Sequence, residues 1–333
     1  MSRLAVAFAI LAALTANASR ADTVYATSFS TGELIRYDSS DPAGTKTVLS
    51  GSGAMTKPAA IAVGPDGNLY IGEDGDGATV APKVTRYAVA SGSLETVHTF
   101  TAFEVFPGSL IFKGTDLLVG RNPFFGNTGP IVKIANASGS GPLAVSDYTT
   151  GGSLASSPGL ALAADGQLYV ADQTYSFVTS VASGPVKRFD AAGAYVGEVI
   201  ASGSSGLSGP TGLAITGTTL YTASIMSGAV LQTNLAGDTT QPFASAGGPF
   251  EVGALALLSD GTLLASSPSG SGSIYLFGTD GTLLGTYASG LGQIGGIAAV
   301  AAVPEPASIT LAFGGLAAFT CLFRRRTART MNR

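Results

Sequence analysis

Along most of the chain, short apolar runs alternate with tight polar turns, and one version of the pattern keeps returning. It consists of Pro or Gly, an apolar strand, a turn often written Asp-Gly, and a second strand that ends in a small or acidic residue. It reads PAAIAVGPDGNLYIGE from Pro58, PGSLIFKGTDLLVGR from Pro107, PGLALAADGQLYVAD from Pro158, PTGLAITGTTLYTAS from Pro210 and VGALALLSDGTLLASS from Val252. The starts lie 49, 51, 52 and 42 residues apart. A second module follows each copy, a strand with basic or aromatic residues and a hairpin into another strand, as in PKVTRYAVASGSLETVHTF and GPVKRFDAAGAYVGEVIASG. Asp-Gly between apolar runs predicts hairpins, because glycine readily supplies the positive φ such turns require.

Four strands in a unit of roughly 40 to 50 residues is the blade pattern of a β-propeller. DTVYATSF at Asp22 matches the second strand of a unit that lacks its first, and IGGIAAVAAV at Ile294 matches a first strand with nothing after it. Joined, the two complete one composite blade, so the reading is an all-β propeller over 22–302 with six four-stranded blades, closed by pairing of strands from its two ends. Such closure leaves no open edge between first and last blade. A β-solenoid or a pair of β-sandwiches also accommodates the strand pattern; a helical fold does not.

The two ends read differently. Residues 1–21 begin with Arg3 in a short polar start, continue uncharged from Leu4 to Ala16 and finish in small residues, which predicts a secretory signal peptide cut after Ala18 or, preferably, Ala21. In residues 303–333, Pro304, Glu305 and Pro306 precede an uncharged stretch from Ala307 to Phe323, which predicts a transmembrane helix, and Arg324, Arg325 and Arg326 follow as a stop. By the positive-inside rule these arginines stay cytoplasmic, so the body of the protein lies outside that membrane.

A Val-Pro-Glu-Pro motif, one hydrophobic helix and a terminal arginine cluster, with a signal peptide at the other end, resemble the PEP-CTERM sorting signal of Gram-negative bacteria. That resemblance implies an exosortase-type processing enzyme as partner, with Pro304, Glu305 and Pro306 as its recognition motif. It also implies a transient anchor in the inner membrane, and delivery to the periplasm, the outer surface or the extracellular matrix. The repeats themselves are similar to NHL and gluconolactonase-like six-bladed propellers, over nearly all of 22–302.

Removing the ends changes the charge picture. The whole chain is formally −4, but residues 22–303 retain 10 basic against 20 acidic residues, near −10, which makes nucleic acid an unfavourable partner. The single cysteine, Cys321, lies in the apolar tail, so the propeller has neither disulfides nor thiolate chemistry.

The loops after each second strand and before each first strand meet around the channel mouth of such a propeller. They bring Glu73, Asp74 and Asp76; Arg121 and Asn122; Asp172 and Gln173; Ser224; Ser266; Glu104 and Glu251 to one face. The resemblance to gluconolactonase-like propellers implies Glu73, Asn122 and Asp172 as an oxygen-ligand set for Ca²⁺ or another divalent cation. Arg121 opposes a cation there, and an acidic residue closing a strand commonly bonds to its own turn instead. EDGDG at Glu73 lacks the spacing and final Glu of an EF-hand loop. His98, the sole histidine, falls on an outer strand, and no serine sits in a G-x-S-x-G elbow. No catalytic residues are therefore assigned. The leading expectation is a non-enzymatic exported binding or scaffold module. A divergent metal-dependent lactonase, hydrolase or lyase is the alternative, and a matrix protein whose repeats carry no site is a third possibility.

Overall fold

The computed structural model describes residues 21–43, 45–101, 105–122, 128–176, 181–270 and 272–301. Residues 1–20 of the predicted signal peptide, the Pro304–Pro306 motif, the predicted transmembrane helix, the arginine stop and Glu104 lie outside the described residues.

Residues Asp22–Val300 form one compact unit of six four-stranded antiparallel sheets. Blade 1 pairs β1 (Thr23–Ser28), β2 (Glu33–Asp38) and β3 (Thr47–Ser50) with the last strand of the fold, β26 (Ile294–Val300). Blade 2 is β4 (Pro58–Val63), β5 (Leu69–Glu73), β6 (Lys83–Ala88) and β7 (Ser93–Thr99); blade 3 is β8 (Pro107–Lys113), β9 (Asp116–Arg121), β10 (Val132–Ala135) and β11 (Ala144–Asp147). Blade 4 has β12 (Gly159–Leu162) and β13 (Leu168–Ala171), then an inserted hairpin of β14 (Thr174–Ser176) and β15 (Val181–Ser183), then β16 (Val186–Phe189) and β17 (Tyr195–Ile200). Blade 5 is β18 (Pro210–Thr216), β19 (Thr219–Ser224), β20 (Ala229–Asn234) and β21 (Thr239–Ser245). Blade 6 is β22 (Leu255–Leu257), β23 (Leu263–Ser266), β24 (Ile274–Phe277) and β25 (Leu283–Ala288).

The six-bladed propeller and its composite closing blade therefore stand as the repeats predict. The inserted hairpin does not follow from them: its strands are three residues each, too short to carry the repeat pattern of the other units.

Strand alternation explains how the blades stick together. The second strands β5 and β13 are buried along their whole length, so both faces meet neighbouring blades. On β5, Leu69 and Ile71 join Tyr25, Leu34 and Ile61 between blades 1 and 2, whereas Tyr70 points the other way, into a cluster with Leu110, Leu117 and Val119 of blade 3. On β9 the same rule sends Leu117 and Val119 back to blade 2 and Leu118 forward to Leu160 and Val170 of blade 4. The described core resolves into six such clusters, one at each blade–blade interface.

The ring closes by three kinds of contact. β1 pairs antiparallel with β26, with Thr23 opposite Val300 and Tyr25 opposite Ala298. Val24, Ile35 and Tyr37 share a cluster with Leu264, Ile274 and Tyr287, and the Tyr37 and Tyr287 rings meet edge to face at 5.9 Å. The carboxylate of Asp22 accepts the Ser259 amide at 2.5 Å and its hydroxyl at 2.8 Å, tying the start of the fold to blade 6.

The Asp-Gly turns behave as the sequence predicts in conformation. Gly67, Gly166, Gly261 and Gly281 all have φ between 75° and 86°. In each, the preceding aspartate (Asp66, Asp165, Asp260 or Asp280) accepts the amide of the residue after the glycine at 2.9 to 3.2 Å.

Candidate functional site

The six innermost strands line an axial cavity of about 380 Å³. Its floor is a ring of one aliphatic residue per blade, Ile297, Ile61, Leu110, Leu160, Leu213 and Leu255, exposed to nearly the same extent, between 6 and 8%. Above the floor the strands carry small residues. Gly159, Gly212 and Gly295 each lie so close to the next blade that a Cβ would run into the carbonyl of Thr211, Gly253 or Pro58. Glycine is required at these three positions by close approach, and the narrow axis of the propeller depends on it.

At the mouth the second strands end in two successive sets of residues. The first holds Ser28, Glu73, Arg121, Asp172, Ser224 and Ser267, and the next residue along gives Phe29, Asp74, Asn122, Gln173, Ile225 and Pro268. Only the second set, apart from Asp74, lines the cavity; Lys57 and Gln293 join it from loops before the first strands. Lys57, Asn122 and Gln173 make a polar arc over blades 2 to 4, and Phe29, Ile225 and Pro268 an apolar arc over blades 5, 6 and 1.

The first set braces loops. The Thr56 amide donates to Glu73 Oε2 at 2.7 Å, the Thr85 hydroxyl donates to Oε1, and Lys83 Nζ lies 3.5 Å from Oε1. Asp172 repeats the arrangement, accepting the Ala155 amide at 2.7 Å and pairing with Lys187 Nζ at 2.6 Å. Ser224 Oγ accepts the Ser208 amide at 2.8 Å. Ser266, whose Oγ accepts the Ala254 amide at 3.0 Å, bonds within its own blade. Arg121 directs its Nε to the Pro130 carbonyl at 3.0 Å.

Among the described residues no hydrogen bond or ion pair joins Glu73, Asn122 and Asp172 to one another. Asn122 instead donates from Nδ2 to Asp74 Oδ2 at 2.7 Å. Asp74 is wholly buried, and its Oδ1 has no hydrogen-bond partner among the described residues. Burial pushes its carboxyl up to about 8, against the lowering effects of the Asn122 hydrogen bond and the nearby Lys57 charge. Among the described residues no group of three or more His, Cys, Asp or Glu side chains is arranged to hold a metal ion.

The remaining candidates are local. Asp76 Oδ1 accepts the amides of Ala78, Thr79 and Val80 at 2.7 to 2.8 Å, and these bonds together with the Thr79 hydroxyl hold its carboxyl well below the usual range. Glu251 accepts the Tyr275 hydroxyl at 2.6 Å. His98 sits half-buried on outer strand β7, edge to face with Phe100 at 4.8 Å, and desolvation lowers its pKa.

The sequence reading passed over Lys57. It is half-buried, precedes Pro58 and has φ 52°, a conformation that non-glycine residues seldom adopt. Aligning the strand ends LYIGED, LLVGRN and LYVADQ would have shown that Asn122 corresponds to Asp74 and Gln173, one step beyond Glu73 and Asp172.

No protein-family model matches the chain, and no curated protein matches it. Among solved structures the chain is similar to one from the crystal structure of a nidogen/laminin complex, with a TM-score of 0.66 and 13% identity over 84% of this chain and 97% of that chain. At that identity the likeness supports the propeller fold and nothing finer.

Proposed function

We propose that this chain is an exported, non-enzymatic β-propeller that works as a binding or scaffold module, sorted to the cell surface or matrix by its PEP-CTERM-like tail, which an exosortase-type enzyme processes while it anchors the chain in the inner membrane. The observation that carries the non-enzymatic part is the commitment of Glu73 and Asp172. Both carboxylates brace the loop before their own blade and pair with a lysine, which leaves neither in the role that a metal-dependent lactonase would require. Delivery rests on the tail and the signal peptide. The fold ends at Val300, a few residues before Pro304, so a cut at the motif leaves the closing strand intact.

The competing reading is a divergent metal-dependent lactonase, hydrolase or lyase on the same propeller. It has one point in its favour, the unpartnered Oδ1 of Asp74 beside Asn122. Metal analysis of the purified full-length protein after dialysis against calcium separates the two. The binding-module reading expects no stoichiometric metal, and lactone turnover abolished by Glu73→Ala would overturn it.

A further inference from the structure

The axial cavity is built for a ligand of mixed character. Its floor is aliphatic and close to six-fold, one wall of its mouth is Phe29, Ile225 and Pro268, and the other carries amides and a single cation. Among the described lining residues, Lys57 is the one that bears a charge. A volume of about 380 Å³ falls within the ordinary range of small-molecule sites.

Lys57 is held in place by an unusual amount of structure. Its backbone is left-handed at φ 52°, its carbonyl accepts the Asp74 amide at 3.1 Å, and the neighbouring Thr56 amide is fastened to Glu73 at 2.7 Å. Left-handed backbone at a non-glycine residue is unfavourable, and where it persists the surroundings impose it. Among the described residues Lys57 makes no ion pair. No carboxylate lines the cavity beside Lys57 among the described residues: Asp74, the next acidic residue beyond Glu73, is wholly buried, hydrogen-bonded to Asn122 and outside the lining.

We propose that the channel mouth binds a small molecule with an aliphatic body and one carboxylate head, the head at Lys57 and Asn122 and the body over the aliphatic floor. This rests on the reading of the protein as a binding module and adds the class of its ligand. A buried lysine–carboxylate contact supplies orientation, and the apolar floor supplies most of the affinity. The domain as a whole carries 20 acidic against 10 basic residues over 22–303, so an anion gains little from long-range attraction and depends on Lys57 directly.

The chain contains no tryptophan, so Phe29→Trp places a single indole at the rim as a fluorescent reporter of occupancy. Octanoate, 1-octanol and octyltrimethylammonium are titrated into the full-length Phe29→Trp protein and into the same protein carrying Lys57→Gln or Lys57→Gly. The expected result is saturable binding of octanoate, tighter than either counterpart and weakened about tenfold or more by each Lys57 substitution. Lys57→Gly removes the strain along with the charge, so its melting temperature is expected to be no lower than that of the parent, which separates lost binding from lost folding. Octanol or the cation binding as tightly as octanoate, or octanoate binding that is indifferent to Lys57→Gln, overturns the carboxylate assignment while leaving the mouth as a binding site. If no probe perturbs the indole, the assignment is likewise overturned, and the exported-module reading is then judged on its own by the termini of the mature protein.

Discussion

At the scale of single residues, adjacent carboxyls in one strand end have opposite fates. Glu73 has three partners and stays a brace, while Asp74, the next residue, is buried with one oxygen unpartnered among the described residues. Replacing Glu73 by Ala leaves the Thr56 amide and the Lys83 ammonium without their acceptor, and we expect a stability loss of about 1–3 kcal/mol, read by denaturant unfolding. Asp74 gives a pH signature. Its carboxyl is raised in the folded state to about 8 from an unfolded value near 3.8, so the folded protein holds the proton more tightly. The stabilisation is complete below pH 4 and is lost as pH rises through about 8. Thermal melts of the parent should therefore decline across pH 4 to 8 relative to Asp74→Asn, and parallel curves would show that Asp74 does not titrate in this way. None of this was legible in the sequence, where Glu73 and Asp74 are equally acidic neighbours; side-chain parity along β5 decides which one faces which partner.

Individual elements were far easier to read. Asp-Gly turns and period-two alternation locate the hairpins because each is fixed by local chemistry: a positive φ at Gly67 or Gly261, an aspartate bonded two residues on, and side chains sent alternately to two neighbouring blades. The hairpin β14–β15 escaped for the same reason, since Thr174–Ser176 and Val181–Ser183 are too short to show period-two alternation and carry no Asp-Gly turn. The inner-strand glycines were visible as PGL and PTGL, but only the structure gives their cause, the approach of one blade to the next at the axis. We expect Gly159→Ala to cost about 1–3 kcal/mol or more, because its Cβ meets the Thr211 carbonyl, whose backbone cannot easily yield. Gly197→Ala on outer strand β17, where a Cβ meets nothing within 4 Å, should leave the melting temperature almost unchanged. Equal losses in the two variants would mean that axial crowding does not limit the fold.

On the scale of the whole molecule, circular closure was foreseeable from two half-units at opposite ends of the repeat array, Asp22 onward and Ile294 onward, because an open propeller would expose a sheet edge. The ligand was not foreseeable from those half-units. A repeat pattern records which residues pack between blades, and the mouth is built where blades depart from one another, at Lys57, Asn122 and Gln173 against Phe29, Ile225 and Pro268. The proposed delivery depends on the sequence-predicted signal peptide and tail, which fall outside residues 22–300 of the closed ring. Mass spectrometry of the protein recovered from its native host tests this most directly. The account predicts a mature chain that begins at or near Asp22 and ends near Pro306, recovered outside the cytoplasm; an intact chain from Met1 to Arg333 would contradict it.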